Sequence, residues 1–87
     1  MPRFLVTRTL PELSPEQLNA VGSKVKEVCN ELGMEWVRSH LTADGKHSFC
    51  EFEAPSAGTC REHAKKAGLP VDDVIPIGME IGPAMFK

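Results

Sequence analysis

The residues of this 87-residue chain best suited to proton transfer, thiolate chemistry or metal ligation are three histidines and three cysteines, and their spacing makes two groups. Cys60 and His63 are three apart, so on a helix they share a face, and Cys50 points toward the same layer if its strand lies beneath that helix. Thiolate and imidazole together make a donor pair for soft or borderline metals. The second group is His40, Arg38 and Glu51, with Trp36 close by. Here the histidine can move a proton near neutral pH or bind a metal, the carboxylate can serve as a second acid, base or ligand, and the guanidinium can hold an anion. Each group also has a plainer reading. Arg38 and Glu51 make an ordinary cross-strand ion pair beside an exposed histidine, and Cys60 and His63 are packing residues. A cysteine nucleophile activated by His63 lacks the strained elbow or glycine-rich oxyanion loop such chemistry uses. His47, beside a turn, has no partner and reads as solvated.

The elements that must position these groups are legible from periodicity and punctuation. Arg3 to Thr9 alternates as a first strand, with Phe4 and Val6 on one face and Leu5 and Thr7 on the other. Ser14-Pro15-Glu16-Gln17 is a capping box with proline at the first helical position, and Leu18, Val21, Val25, Val28 and Leu32 form the buried stripe of the helix it opens. Cys29 adjoins that stripe and reads as structural. Gly33 suits a left-handed stop. Residues 35 to 54 form a hairpin around Asp44-Gly45, for which a two-residue type I′ turn is expected. In that register Arg38 faces Glu51, His40 faces Phe49, Ser39 faces Cys50 and Val37 faces Phe52. Val37, Leu41, Cys50 and Phe52 then lie under the helices, while Trp36, Arg38, His40, Phe49 and Glu51 share the opposite face. Ser56 opens a second helix carrying Ala57, Cys60, Ala64 and Ala67 on one stripe, ended by Gly68-Leu69-Pro70. Val74 to Ile81 alternates as a last strand that Pro76 and Gly78 confine to an edge.

The order β-α-β-β-α-β predicts a single α+β domain over residues 1–87: a ferredoxin-like, four-stranded antiparallel sheet with both helices on one face. A chain this short holds one core. The other sheet face, bearing Leu5, Trp36 and Phe49, needs a cover, and a second copy stacked across a two-fold axis supplies it, so a homodimeric sandwich or barrel is expected. Twelve acidic and ten basic side chains give a net charge of −2 with no basic run, which argues against nucleic acid. No apolar stretch is long enough for a membrane span and no secretory signal is evident, so a cytoplasmic location is expected. Three cysteines without C-x-x-C spacing fit neither a disulfide framework nor a zinc ribbon. Nucleotide-binding glycine motifs and magnesium-type carboxylate clusters are missing as well.

Three segments carry a resemblance: Pro2-Arg3-Phe4-Leu5-Val6, then Ser48-Phe49-Cys50 leading into Glu53-Ala54-Pro55-Ser56, and above all Arg61-Glu62-His63-Ala64-Lys65-Lys66-Ala67-Gly68-Leu69-Pro70. Together the chain resembles, over nearly its whole length, a small domain-of-unknown-function family whose named representatives are nickel-binding proteins of the ferredoxin-like fold. The resemblance implies a dimer that binds a divalent transition metal such as nickel, with no established reaction, and it carries Cys50 and His63 over as metal-site residues. Members have a histidine where this chain has Arg38 and an aromatic where it has His40. A guanidinium does not coordinate metal, so His40, two residues along the same face, becomes the substitute donor.

The leading expectation is therefore a dimeric domain that binds a metal through Cys50, His63 and His40, or a small ligand beside Trp36, Arg38, His40 and Glu51. The alternatives are a small dimeric α+β barrel enzyme using His40 and Glu51 as acid and base on an apolar molecule, and a pure protein-interaction module.

Overall fold

Short-range devices set both ends of each helix. The Ser14 hydroxyl accepts from the Gln17 amide at 3.1 Å while the Gln17 side chain accepts from the Ser14 amide at 2.8 Å, closing the capping box that starts α1 (Pro15–Leu32). Gly33 ends α1 at φ 66°, a left-handed conformation that favours glycine. Ser56 caps α2 (Ala57–Ala67) by accepting from the Thr59 amide at 3.2 Å. The computed structural model describes residues 1–87 and adds four strands, β1 (Arg3–Thr9), β2 (Glu35–Leu41), β3 (His47–Glu53) and β4 (Asp73–Ile77), with one 3-10 turn over Pro83–Met85.

The strands pair antiparallel in the order β2-β3-β1-β4, so the expected ferredoxin-like α+β fold is the one observed. Both helices lie on one face, and the chain measures 44 × 29 × 19 Å. Between the layers Phe4 and Val6 of β1, Cys50 and Phe52 of β3, and Val74 of β4 pack against Val25 and Cys29 of α1 and Cys60 of α2. Full burial of a side chain such as Phe52 is worth about 1.5–3 kcal/mol. As expected, β4 is an edge strand, pairing with β1 alone, which lets Pro76 sit opposite Phe4 without breaking an interior ladder.

The structure departs from the sequence reading in four places. The β2–β3 connection keeps the expected register but not the expected turn. Thr42 pairs with His47, the Gly45 amide donates to the Thr42 carbonyl at 2.8 Å, and only Gly45 has positive φ, at 74°, so the loop is not type I′. Thr42 makes this possible by donating its hydroxyl to Asp44, whose carboxylate also accepts from the Lys46 amide. Secondly, a register shift between Trp36 and Arg38 leaves Val37 in a bulge and sets Trp36, not Val37, opposite Phe52. The extra residue reverses the alternation below it, so Trp36 lies on the helix side. Thirdly, β4 stops at Ile77 rather than Ile81, because its partner β1 begins at Arg3 and Pro2 has no amide to extend the ladder. Finally, Leu18 in the first turns of α1 is 44% exposed rather than buried.

Candidate metal and ligand site

On the uncovered sheet face, the pairing of Arg38 with Glu51 is observed, and it is part of a larger network. Arg38 Nη1 lies 3.6 Å from Glu51 and 3.7 Å from Glu80, while Arg3 lies 3.0 Å from Glu53, 3.6 Å from Glu51 and 3.9 Å from Glu80. The hydrogen bond from Arg3 holds the Glu53 carboxyl below the usual carboxylate range. Glu51 is thus engaged by two guanidinium groups, and no hydrogen bond or ion pair joins it to His40. Glu80, in the segment after β4, ties that segment over the sheet. Arg3 and Glu80 were not evident from the sequence as site residues. Arg3 shares a face with Leu5 by simple alternation, but Glu80 belongs to a segment whose path no local pattern specifies.

His40 stands opposite Phe49 on this same face, as expected, and both are exposed. Trp36 does not join them. Its ring stacks on Phe52 with centroids 6.5 Å apart, and its Nε1 donates to Ser39 Oγ at 2.7 Å. There it lines a slot of about 170 Å³ between α1 and the sheet, together with Val21, Leu41 and Cys50.

The buried layer holds the other group. His63 is fully buried, its Nε2 lies 3.0 Å from the Val25 carbonyl oxygen and 3.3 Å from Cys29 Sγ, and its ring tilts against Phe52 with centroids 5.1 Å apart. Nδ1 of that ring is a buried atom with no hydrogen-bond partner. Burial lowers the His63 pKa, so the ring is neutral at pH 7 and keeps a free lone pair. Cys50 is nearly buried, with its thiol 3.9 Å from Ser48 Oγ, and Cys60 is fully buried. The histidine was expected at the border of the α2 stripe and is instead central to the core. The thiol that touches it is Cys29, which the sequence placed on the α1 stripe without revealing the contact.

The structure brings Cys50 and His63 into one layer, and His40, on the opposite sheet face by register, is nonetheless among the residues that line the slot beside Cys50. No three His, Cys, Asp or Glu side chains converge closely enough to hold a metal ion by themselves. Donor type is favourable, since an imidazole with one nitrogen tied to a carbonyl and the other free is oriented as metal-ligating histidines are. Donor number within one chain is incomplete. No helix is long and apolar enough to cross a membrane.

Comparison with known proteins agrees with this arrangement at the level of family and fold. Residues 4–77 match the family described as nickel responsive protein SCO4226-like. No curated protein sequence matches. Among solved structures, SCO4226 from Streptomyces coelicolor A3(2) is similar at a TM-score of 0.80 with 15% identity, over 91% of this chain and 99% of that one.

Proposed function

Because this chain belongs to the SCO4226-like family of nickel-responsive proteins, we propose that it binds a divalent transition metal of the nickel kind, as a homodimer, with His63 as the anchoring donor. One observation carries this reading: Nδ1 of His63 is sealed in the core with no partner. Burying an acceptor unpaired costs about 1–3 kcal/mol, a cost that a purely structural residue at this position has no reason to incur. The Val25 carbonyl fixes Nε2 as the protonated nitrogen and leaves Nδ1 as the donor.

Cys50, on the strand beneath, is the thiol donor of choice, and nitrogen with thiolate suits nickel among first-row divalent ions. The metal would supply a cross-link between α2 and the sheet, and binding would release the thiol proton. With no third donor grouped in the chain, the remaining positions fall to water or to a second copy. His40 lies on the face where that copy would dock.

The dimer rests on exposed apolar surface. Phe49 and Ile75 are 40% and 41% exposed on the uncovered face, and Ile81 and Phe86 are each 65% exposed in the segment that follows β4. A small domain rarely leaves this much apolar area in water. Calorimetric titration of tag-free protein with nickel tests the reading, with a saturable heat and proton release expected. A protein that stays folded and takes up no nickel would remove it.

A further inference from the structure

The side chain of Arg8 is out of place for a structural residue. It follows Phe4 and Val6 on the helix-facing side of β1, and the residue is 97% buried by its relative exposure of 3%. No carboxylate lies within 4.0 Å of it, and its one hydrogen bond runs from Nη1 to the Pro70 carbonyl at 2.8 Å. A guanidinium has five N–H groups in a planar fork that matches a carboxylate, and a buried charge without a counter-charge is an arrangement that proteins avoid. The groups near it do not supply one. Cys29, Cys60 and His63 feel its positive charge, but burial keeps the thiols protonated and the ring neutral at pH 7.

Arg8 also lines the slot between α1 and the sheet, beside Ser48 on the neighbouring strand. The rest of that lining is mainly apolar and includes Leu18, Val21, Trp36 and Leu41, with His40 and Ser39 among its polar members. None of the Arg8 nitrogens is both sealed from solvent and unpartnered, so those that Pro70 does not occupy keep a little access to solvent. Leu18 and Leu41 are each 44% exposed and Trp36 is 39% exposed, which leaves the mouth open. The same Leu18 and Leu41 border a wider hollow of about 580 Å³ at the β2–β3 turn. A buried cation without a counter-charge beside a mainly apolar slot suits an amphipathic anion. Its volume of about 170 Å³ is close to that of a cavity that accepts a single benzene ring.

We infer that this slot binds a small monocarboxylic acid with a flat or short apolar body, its carboxylate paired with Arg8 and its body held between Trp36, Val21 and Leu41. The slot borders the proposed metal site at Cys50 but does not include His63, and binding of the acid to the metal-free chain does not depend on nickel.

Trp36 is the only tryptophan, so its fluorescence reports occupancy directly. The probes are phenylacetate and its uncharged counterpart phenylacetamide, titrated into metal-free wild-type protein. Phenylacetate is expected to give a saturable change and to bind at least tenfold more tightly than the amide. Arg8→Gln should erase that preference while leaving amide binding in place. Leu18→Glu, at an exposed position on the mouth, should weaken phenylacetate binding several-fold without unfolding the chain. Equal affinity of the wild-type protein for acid and amide, or no saturable change with either, would overturn the proposal even if Arg8→Gln failed to fold. So would an unchanged preference in folded Arg8→Gln.

Discussion

Nε2 of His63 on α2 lies 3.0 Å from the carbonyl oxygen of Val25 on α1, a hydrogen bond through the fully buried layer that joins the two helices. The ring must carry its proton on Nε2 to donate it, so Nδ1 faces the core as a bare acceptor. That relationship makes stability depend on pH. Burial pulls the His63 pKa below 6.5, against the Val25 hydrogen bond that raises it and with help from the nearby Arg8 charge. The unfolded chain therefore takes up the proton first, near pH 6.5. Stability is full above that value and is lost as pH falls through it toward the lower folded pKa. Urea midpoints measured from pH 8 to pH 5 should fall in the wild type, and the fall should be smaller in His63→Gln, whose amide can still donate to Val25. Matching profiles for the two proteins would contradict the assignment.

Cys29 should behave as a core residue and not as a reactive thiol. Burial, with the Cys60 thiol nearby, pushes its pKa up to about 11, so almost no thiolate is present at neutral pH. Iodoacetamide should modify Cys29 only in denaturant. Cys29→Ala should cost about 1–2 kcal/mol of stability and leave nickel uptake unchanged. Rapid labelling of the folded protein would show that α1 and α2 part more readily than this packing implies.

The uncovered sheet face should drive self-association. Sedimentation at micromolar concentration is expected to give twice the 9.5 kDa chain mass, and Phe49→Glu or Ile75→Glu, each placing a charge in the middle of an apolar contact, should return it to the monomer. A wild-type chain that sediments as a monomer would remove the dimer from the account.

The ion pairs of Glu80 should matter little to stability. Its side chain is 70% exposed and its pairs with Arg3 and Arg38 are at 3.9 and 3.7 Å, long for charge-assisted contacts and open to salt. Glu80→Gln should leave the thermal midpoint in 0.15 M salt unmoved, while amides of residues 78–82 exchange faster. A drop of several degrees would mean that the segment is anchored more firmly than its contacts explain.

What could be read in advance follows the range of the interactions involved. Ser14, Gln17 and Gly33 act within a turn, and Arg38, His40, Cys50 and Glu51 fall where a hairpin register puts them, so helices, strand order and faces were legible. The bulge at Val37 was not, because nothing local distinguishes it from the Phe52 partner the simple register predicts, and it carried Trp36 to the other side. Glu80 and Cys29 were missed for the same reason: their partners are set by tertiary packing across 42 and 34 positions, Glu80 with Arg38 (80 − 38) and Cys29 with His63 (63 − 29). Arg8 was within reach, since the parity that buries Phe4 and Val6 buries it too.

The most direct test of the metal assignment is the nickel-induced shift in thermal midpoint for tag-free wild type, His63→Gln and His40→Gln, each first shown to be folded. A metal that binds only the folded chain adds about 2.7 kcal/mol at a hundredfold excess over its Kd, which for a domain of this size is about 10–20 °C. The account predicts a shift of that order in the wild type, its loss in His63→Gln, and at most a partial loss in His40→Gln. An undiminished shift in His63→Gln, or none in the wild type, would contradict it.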